Sequence, residues 1–474
     1  MKDYEPRPGT IPTLEIPRLD LRRVHLVGVG GAGMSGIARL LLARGIAVSG
    51  SDLKDSPGLA LLRGAGAEVT VGHRPENVGS AEAVVVSTAI GRDNPEVVAA
   101  RRRGLPVYAR AQVLAAMMAE RRGIAIAGTH GKTTTTSMTA VIFERAGLDP
   151  TYVVGGDLNE SGSNARSGDG DYFIAEADES DGSFLLLDPE IGVVTNVEPD
   201  HLDFYRGGED VEAAFAAFCR RADRLVACGD DPGVRRVLDA APSEVVTYGM
   251  GEGNDVRLGS VETMNGEGRG VVVVDGERVE VSLSIVGRHH LLNATAAMLT
   301  ARAVGVPLES AAEALRSFTG VRRRFEPRGD ARGARFVDDY AHHPTEITAT
   351  LEAARSTGPA RLVAVFQPHR YTRTEALWRP LGGSLATADL VVLTDVYGAG
   401  EMPVPGVTGK LLVDSLLDRA PRARVIYLPS RADVAPFLAG EIRNGDLVLT
   451  LGAGDVTMVA DETLSRIREA NGGG

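Results

Sequence analysis

The residues best suited to chemistry in this 474-residue chain form a glycine-rich segment, Gly128-Thr129-His130-Gly131-Lys132-Thr133-Thr134. A short apolar run, Ile124 to Ala127, precedes it, and a predicted helix, Thr133 to Arg145, follows it. In such a setting backbone amides bind phosphate oxygens, the lysine reaches the β- and γ-phosphates, and the threonine coordinates Mg²⁺. Ile126 stands where the usual phosphate loop has its first glycine, so this is a compact variant. The segment predicts an ATP site.

A second glycine loop, Gly28-Val29-Gly30-Gly31-Ala32-Gly33, lies between an apolar run and a predicted helix, Met34 to Arg44. This spacing lets backbone amides approach a diphosphate at a helix N-terminus. Asp52 ends the next predicted strand, where an acid can bind a ribose hydroxyl. Alone, the loop fits NAD or FAD, another nucleotide diphosphate such as a UDP-sugar, or a structural turn. Ser87 and Thr88 either bind diphosphate or belong to a polar loop that caps the next helix at Asp93.

The two loops together are more informative than either one. A dehydrogenase needs only the first loop, and a simple ATPase needs only the second. A chain with both is expected to handle a nucleotide-linked substrate and ATP. A nicotinamide-dependent oxidoreductase leaves the second loop unexplained, whereas a non-catalytic ATP-dependent switch remains an alternative.

Acidic side chains follow two predicted buried strands after the second loop, in the segments Glu176 to Asp181 and Thr195 to His201. Parallel strands end at one edge of a sheet, so we expect both segments beside the phosphate loop. Mg²⁺ prefers hard oxygen ligands, and Glu176 is the natural candidate, with His201 as a less usual addition. A buried Glu176 is expected to need a cationic partner. Asp181 and Glu198 fit solvated loop acids equally well.

Predicted strands and helices alternate along most of the chain, which indicates an α/β fold with parallel sheets. The Asp275-Gly276 pair between two apolar runs predicts a small hairpin. At roughly 150 residues per domain the length favours three domains. We place them at residues 1–119, 120–324 and 325–474.

Composition narrows the functional classes. The formal net charge of −12 argues against nucleic acid as a partner. Cys219 and Cys228 are too few for a disulfide framework or a four-cysteine zinc site, and are expected to be buried thiols. The first 20 residues do not resemble a signal peptide, and no apolar run is long enough to span a membrane. We therefore expect a cytoplasmic location without membrane partners.

Ten motifs in order along the chain resemble those of the Mur ligase family: GVGGAGMSGIA, STAI, GTHGKTTTT, EADESDGSF, TNVEPDHLD, GRHHLLNATAA, GVRRRFE, DDYAHHPTE, QPHRYTRT and DVYGAGE. The first and eighth are most similar to those of members that add L-alanine to UDP-N-acetylmuramate. The resemblance implies an ATP- and Mg²⁺-dependent ligase acting through an acyl phosphate in peptidoglycan precursor synthesis, as a monomer or homodimer. It implies a Rossmann-like UDP-binding domain, a central ATPase domain with a small antiparallel part, and a Rossmann-like amino-acid-binding domain.

The resemblance also assigns roles by position. The residues expected to bind the UDP-sugar are Gly30, Ala32, Gly33, Asp52, His73, Ser87 and Thr88. Those expected to bind ATP are Gly128 to Thr134, His289, Asn293, Arg324 and Asp339. The implied metal ligands are Thr133, Glu176 and His201. The amino acid is expected at His342, Arg370 and Arg373. The catalytic candidates are Lys132, His201, Arg324 and His342, with either histidine as acceptor of the amine proton.

Two departures and several alternatives accompany these roles. His290 stands where the family pattern has Asn, and no lysine lies between His201 and Arg224 for the carbamylated lysine of some members. Simpler readings are possible for the carried-over residues. Asn293 could cap a helix, His342 and His343 could form the turn before a helix, and the two arginines Arg370 and Arg373 could be surface residues.

Overall fold

The computed structural model describes residues 17–87, 89–159, 162–202, 204–242, 244–264 and 266–472. These residues form three β-sheets with helices between the strands, which confirms the predicted three-domain α/β fold class. Thr88, one of the residues expected to bind the UDP-sugar, lies outside the described residues.

The first sheet has five parallel strands in the order β3-β2-β1-β4-β5. Its elements are β1 (Arg23–Val27), α1 (Ala32–Ala43), β2 (Ala47–Asp52), α2 (Pro57–Gly64), β3 (Glu68–Val71), β4 (Ala83–Val86), α3 (Pro95–Arg102), β5 (Val107–Ala109) and α4 (Arg110–Met118). The order reverses at β1, and the first glycine loop follows that strand. In doubly wound sheets ligands bind at this switch point.

The second sheet has ten strands in the order β15-β14-β13-β12-β11-β10-β6-β9-β7-β8. Its strands are β6 (Arg122–Ala127), β7 (Thr151–Val153), β8 (Ala165–Arg166), β9 (Tyr172–Glu176), β10 (Ile191–Val194), β11 (Arg224–Cys228), β12 (Glu244–Gly249), β13 (Val256–Met264), β14 (Glu267–Val274) and β15 (Glu277–Leu283). Its helices are α5 (Lys132–Arg145), α6 (Gly208–Cys219), α7 (Pro232–Val237), α8 (Arg288–Arg302) and α9 (Leu308–Arg316). Strands β10, β6 and β9 are neighbouring and parallel, so their carboxyl ends meet at one edge as expected. Asp275 and Gly276 both have positive φ, as the predicted hairpin turn requires.

The third sheet has six strands in the order β16-β17-β21-β18-β19-β20, parallel except for the first pair. Its strands are β16 (Glu326–Ala331), β17 (Ala334–Asp339), β18 (Arg361–Phe366), β19 (Leu390–Leu393), β20 (Val425–Tyr427) and β21 (Asp446–Leu451). Its helices are α10 (Pro344–Ser356), α11 (Tyr371–Ser384), α12 (Lys410–Arg419), α13 (Val434–Glu441) and α14 (Met458–Gly472). Separate apolar clusters cover its two faces.

The chain divides into two compact units. The first contains Met1–Gly259, Val272–Val279 and Leu292–Phe318, and it carries both glycine loops. The second contains Ser260–Val271, Glu280–Leu291 and Thr319–Gly474. No helix in the described ranges has both the length and the apolar character needed to cross a membrane.

Three sequence expectations need correction. The apolar pattern predicts a helix from Leu292 to Ala303, but helix α8 begins four residues earlier, at Arg288. Asn293 therefore lies inside the helix, and its alternative as a helix cap is wrong. The helix after β4 is capped by Asn94, whose side chain accepts a hydrogen bond from the Glu96 amide, and not by Asp93.

Candidate active site

The second glycine loop leaves the buried end of β6 and turns sharply at Gly128, whose φ is +140°. A Cβ at this position would overlap the hydroxyl of Thr195 and lie 3.1 Å from its backbone nitrogen, so only glycine fits. Gly131 has φ +81° and precedes the first turn of α5. A Cβ there would lie 2.7 Å from Oδ1 of Asn293, which places that side chain against the loop.

The segment after β10 braces the loop through hydrogen bonds. The amides of Thr129 and His130 donate to the carbonyl oxygen and the side-chain Oδ1 of Asn196, at 3.0 and 2.7 Å. The amide of Glu198 donates in turn to the hydroxyl of Thr129 at 2.9 Å. The ring of His130 also lies 3.6 Å from the carboxylate of Glu198. These bonds fix the backbone conformation of the loop.

Lys132 begins α5 and turns its ammonium back toward the loop. Nζ donates to the carbonyl oxygens of Gly128 and Thr129 at 2.5 and 3.1 Å. It also lies 2.8 and 3.0 Å from the two carboxylate oxygens of Glu179, which is 2% exposed. Burial opposes the charge of Lys132, but Glu179 and the neighbouring acids raise its pKa above the ordinary value. The ammonium is therefore a fixed positive charge beside the loop.

Thr133 and Glu176 form a second contact at this edge. The Thr133 hydroxyl lies 3.0 and 3.1 Å from the carboxylate oxygens of Glu176, and the amide of Gly155 donates to the same carboxylate at 2.7 Å. The hydrogen bonds of Glu176 thus come from a hydroxyl and an amide, and the cation expected near it is Lys132, which acts on it electrostatically without a direct ion pair. Hydroxyl and carboxylate oxygens are donors that Mg²⁺ prefers, so this pair fits the predicted metal site.

His201 adopts the left-handed conformation, with φ +53°, and its Nε2 lies 3.9 Å from Glu179 and 3.7 Å from Asp200. Asp178 and Asp181 complete the acidic cluster. Burial raises the pKa of Asp181, and Asp181 is only 8% exposed, so its alternative as a solvated loop acid is wrong. Burial also opposes ionisation of Asp178, but the positive charges of Arg110, Lys132 and His201 hold its pKa below the usual range.

The first glycine loop is shaped by side chains from elsewhere in the same unit. Gly28 has φ +77°, as the tight turn requires. Asp52 accepts a hydrogen bond from the amide of Gly30 at 2.9 Å, so part of its carboxylate fixes the loop itself. Ser87 lies across from the loop, 3.6 Å from where a Cβ of Gly28 would stand.

The start of α1 carries Ala32 and Gly33, both expected at the UDP-sugar. Asn164 directly precedes β8 of the second sheet, and its side-chain amide donates to the carbonyl oxygen of Ala32. The guanidinium of Arg110 lies directly over Gly33, where a Cβ would overlap Nη1. Its Nη2 lies 3.3 Å from Oδ2 of Asp178. Arg110 therefore reaches from the first loop to the acidic cluster of the second.

His73 lies just beyond β3 and belongs to a buried polar network. Its Nδ1 lies 2.9 Å from the hydroxyl of Ser51 and 3.3 Å from the carboxylate of Glu96, which is 0% exposed. His25 approaches the same carboxylate to 3.5 Å. Burial opposes the charge of Glu96, but the nearby ring of His25 and hydrogen bonds from Ser51 and Asn77 lower its pKa to about 2.

In the second unit, Arg324 lies 3.5 Å from the carboxylate of Glu346 and over the ring of Tyr340. The ring and amide of His342 meet the same carboxylate, at 3.4 and 3.0 Å. His342 and His343 directly precede Pro344, the first residue of α10, which confirms the turn before a helix. Glu346 thus links two of the predicted catalytic residues.

Asp339 is buried at the end of β17. Its Oδ2 accepts a hydrogen bond from the amide of Phe325 at 2.7 Å, and its Oδ1 accepts one from Ala341 at 2.8 Å. Burial raises its pKa to about 6, although Arg324 and these amides oppose that shift. The carboxylate therefore fixes the backbone next to Arg324, in addition to the ribose contact predicted for it.

The predicted amino-acid residues lie near an aromatic cluster after β18. Arg370 has φ +69° and its amide donates to the carbonyl oxygen of Tyr397 at 2.8 Å. Arg373 is 9% exposed, so its alternative as a surface residue is wrong, and its Nη1 lies 3.4 Å from the ring of His369. The His369 ring stacks on Tyr397, with the ring of His342 6.0 Å away.

His289 and His290, on α8, are in contact, with ring centroids 3.9 Å apart and ring planes inclined by 45°. Burial and the charge of Arg324 lower the pKa of His289 to about 4, and burial with His289 lowers that of His290 well below its ordinary value. Both rings are therefore neutral at pH 7. In the described part of the chain, neither ring nitrogen of His290 has a hydrogen-bond partner.

Several residues at these sites had no predicted role: Arg110, Glu179, Glu346, His369 and Tyr397. The last four lie inside the quoted motifs, so the signal was present but not assigned to particular side chains. Arg110 lies in no motif, and its position between the loops depends on the packing of α4.

The chain matches three family models along its length. "Mur ligase family, catalytic domain" covers residues 23–122, "Mur ligase middle domain" covers 126–301, and "Mur ligase, glutamate ligase domain" covers 323–454.

Individual relatives agree over nearly the whole chain. The UDP-N-acetylmuramate–L-alanine ligase of Saccharopolyspora erythraea is 51% identical over 465 residues, covering 95% of this chain and 94% of the relative. That of Rubrobacter xylanophilus is 50% identical, covering 94% of this chain and 100% of the relative. The solved UDP-N-acetylmuramate-alanine ligase of Thermotoga maritima aligns with a TM-score of 0.81 at 28% identity, covering 94% of this chain and 99% of that one.

Proposed function

Because this chain belongs to the Mur ligase family, we propose that it joins L-alanine to the carboxyl group of UDP-N-acetylmuramate, using ATP, in peptidoglycan precursor synthesis. The observation that carries this proposal is the presence of two glycine loops in one compact unit, each at the carboxyl end of a parallel strand. One suits the diphosphate of a sugar nucleotide, and the other suits the triphosphate of ATP.

In the first step, a carboxylate oxygen of the sugar acid attacks the γ-phosphorus of ATP, and ADP leaves. The product is an acyl phosphate, which has a far better leaving group than a carboxylate. Such phosphoryl transfer depends mainly on positioning and on neutralisation of charge. Lys132 supplies a fixed cation beside the loop, and we assign Arg324 as a second contact to the nucleotide phosphate.

Thr133 and Glu176 are the residues we propose to hold Mg²⁺, with His201 as a further ligand. Their hard oxygen donors suit this ion, which usually completes its coordination shell with phosphate oxygens and water. When bound, Mg²⁺ offsets negative charge on the transferred phosphoryl group.

In the second step, the amine of L-alanine attacks the acyl carbon, and inorganic phosphate leaves as the amide forms. The carboxylate of the amino acid needs cationic partners, and Arg370 and Arg373 are our candidates. The attacking amine must lose a proton, and His201 and His342 are the proposed acceptors. We also propose a cytoplasmic location, and a monomer or homodimer.

The decisive experiment measures phosphate release with each of the twenty amino acids, with and without UDP-N-acetylmuramate. We expect release to require ATP, the sugar nucleotide and an amino acid together. L-Alanine should exceed glycine in kcat/KM by about tenfold, the discrimination that one methyl group typically provides. Release without an amino acid would indicate an ATP-dependent switch instead.

Two further measurements separate the remaining alternatives. A fluorescence shift on addition of NADH would favour an oxidoreductase and contradict the proposal. Preference for the tripeptide L-alanyl-γ-D-glutamyl-meso-diaminopimelate over L-alanine would instead indicate a peptide ligase acting on the same sugar nucleotide.

A further inference from the structure

Arg110 lies between the two glycine loops of the first unit. It is the first residue of α4, and its Cδ and Cζ lie 3.3 Å from where a Cβ of Gly33 would stand. Gly33 is the second residue of α1, directly after the first loop. The other side of the guanidinium meets Asp178, with Nη2 3.3 Å from Oδ2. One planar cation therefore spans from the sugar-nucleotide loop to the acids at the ATP loop.

Asp178 lies close to the charged groups of the ATP loop. It directly precedes Glu179, the partner of Lys132. The Asp178 side chain is 37% exposed, and its Oδ1 accepts a hydrogen bond from the amide of Ser180 at 3.1 Å, so Arg110 can release it to another anion without leaving it isolated.

The chemistry of the proposed reaction needs a cation at this place. The carboxylate of the sugar acid and the γ-phosphate of ATP are both anionic and must approach within bonding distance. Lys132 is already held by two carbonyl oxygens of the second loop and by the carboxylate of Glu179. A guanidinium presents two parallel N–H groups that match both oxygens of a carboxylate.

We propose that Arg110 binds the carboxylate of the sugar acid, exchanging Asp178 for the substrate. This inference rests on the proposed function. The amides of the first glycine loop already provide a cradle for the diphosphate, so Arg110 is assigned to the other anionic end of the nucleotide. The Arg110 guanidinium extends toward Asp178, on the side of the ATP loop. The substrate carboxylate must lie on that side to be phosphorylated.

The test compares Arg110→Ala and Arg110→Lys with Arg44→Ala as a matched control. Arg44 follows the other end of α1 and pairs with Glu120, after α4, at 2.8 Å. The control thus removes an arginine–carboxylate pair that links the same two helices away from both loops. Binding is measured by calorimetry with UDP-N-acetylmuramate and with UDP-N-acetylglucosamine, which has the same diphosphate and no carboxylate.

We expect Arg110→Ala to weaken UDP-N-acetylmuramate binding about 100-fold, an effect typical of truncating one partner of a hydrogen-bonded charge pair between protein and ligand. Binding of UDP-N-acetylglucosamine should change less than twofold, which also shows that the variant is folded. Arg110→Lys should recover part of the affinity, and added guanidinium ion should partly restore turnover to Arg110→Ala. Arg44→Ala should match the wild type in every measurement.

Two results would overturn the assignment. Equal weakening of both nucleotides would place Arg110 on the diphosphate, and unchanged binding of both would leave it a structural contact to Asp178. Because binding is measured without ATP or amino acid, the result does not depend on turnover. Failure of the wild type to ligate L-alanine would refute the proposed function separately.

Discussion

Replacement of Lys132 by alanine should affect both stability and catalysis, and the two effects can be separated. The ammonium lies 2.8 Å from a carboxylate oxygen of Glu179, which is 2% exposed. Removing one partner of a buried ion pair typically costs about 3–5 kcal/mol, because the other charge is left without compensation. We therefore expect Lys132→Ala to lower the free energy of unfolding by about that amount at pH 7.

The pH dependence of this loss has a defined sign. Burial already raises the pKa of Glu179 in the presence of Lys132, and loss of the ammonium should raise it further. A carboxyl group with a raised pKa holds its proton more tightly in the folded state than in the unfolded state. The single variant should therefore regain stability as pH falls through the folded pKa of Glu179.

The double variant Lys132→Ala/Glu179→Gln separates structure from catalysis. It removes both charges, so most of the lost stability should return. Phosphoryl transfer should still be reduced by about 10²–10³-fold or more, because a preorganised cation at the transferred phosphate is absent. Urea unfolding midpoints should rank wild type first, the double variant second and the single variant third.

Acyl-phosphate formation is measured by trapping with hydroxylamine, and binding of UDP-N-acetylmuramate by calorimetry. Both variants should lose the trapped product and keep the sugar nucleotide, whereas Lys54→Ala, at an exposed lysine, should behave as the wild type. Recovery of turnover in the double variant would refute a catalytic role for Lys132. Loss of sugar-nucleotide binding would refute the assignment of two separate phosphate sites.

Three further predictions test other parts of the site. Gly128→Ala should weaken ATP binding, measured by calorimetry, at least about 100-fold, because the added Cβ would overlap the Thr195 hydroxyl. The control Gly147→Ala is also at positive φ but has open space around it. It should lower the free energy of unfolding by only about 1–2 kcal/mol and leave ATP binding unchanged. Glu96→Gln should lower the free energy of unfolding by about 3 kcal/mol at pH 7, because the pKa of this carboxyl is lowered in the folded state. The wild type should lose that contribution as pH falls from about 4.5 to 2. Equal acid sensitivity of the two proteins in denaturant titrations would contradict this prediction. Arg373→Lys should raise the KM for L-alanine about 10- to 100-fold without changing the KM for ATP. The control Arg379→Lys, at an exposed arginine, should change neither KM. An unchanged KM for L-alanine in Arg373→Lys would remove Arg373 from the amino-acid site.

The sequence predicted the fold class and the position of both glycine loops between a strand and a helix, because these depend on local signals. Apolar runs identified most central strands, such as β6, β9 and β10, since a strand buried on both faces is continuously apolar. Glycine spacing located both loops. Since consecutive parallel strands end at one edge, the convergence of Glu176 and His201 on the Lys132 side of the sheet also followed from the pattern.

Other elements gave weaker signals. Strand β3, with sequence EVTV, is an exposed edge strand, and β7 and β8 contain only three and two residues. Strand β13 alternates buried and exposed residues from Val256 to Leu258 but then becomes largely polar, and the sequence pattern does not predict it. Short or solvent-facing strands bury little apolar surface, and their pairing depends on neighbours distant in sequence.

Long-range partners were the least predictable part of the site. Glu176 was expected to need a cation, yet the cation pairs with Glu179, three residues later. Side-chain direction at the end of a strand decides between the two, and sequence spacing does not specify that direction. The contact between Arg110 and Gly33 joins the starts of two helices, and no motif encodes it.

The compact ATP loop shows how such long-range contacts complete a local motif. Ile126 replaces the first glycine of the usual loop because it lies inside β6, where its side chain is fully buried. The turn is therefore delayed to Gly128, and fewer loop residues remain to fix its shape. Asn196, at the end of the adjacent parallel strand, accepts hydrogen bonds from Thr129 and His130 and supplies that restraint. The TNVEPDHLD motif thus fixes the backbone of the proposed ATP loop, in addition to any ligand role of its histidine.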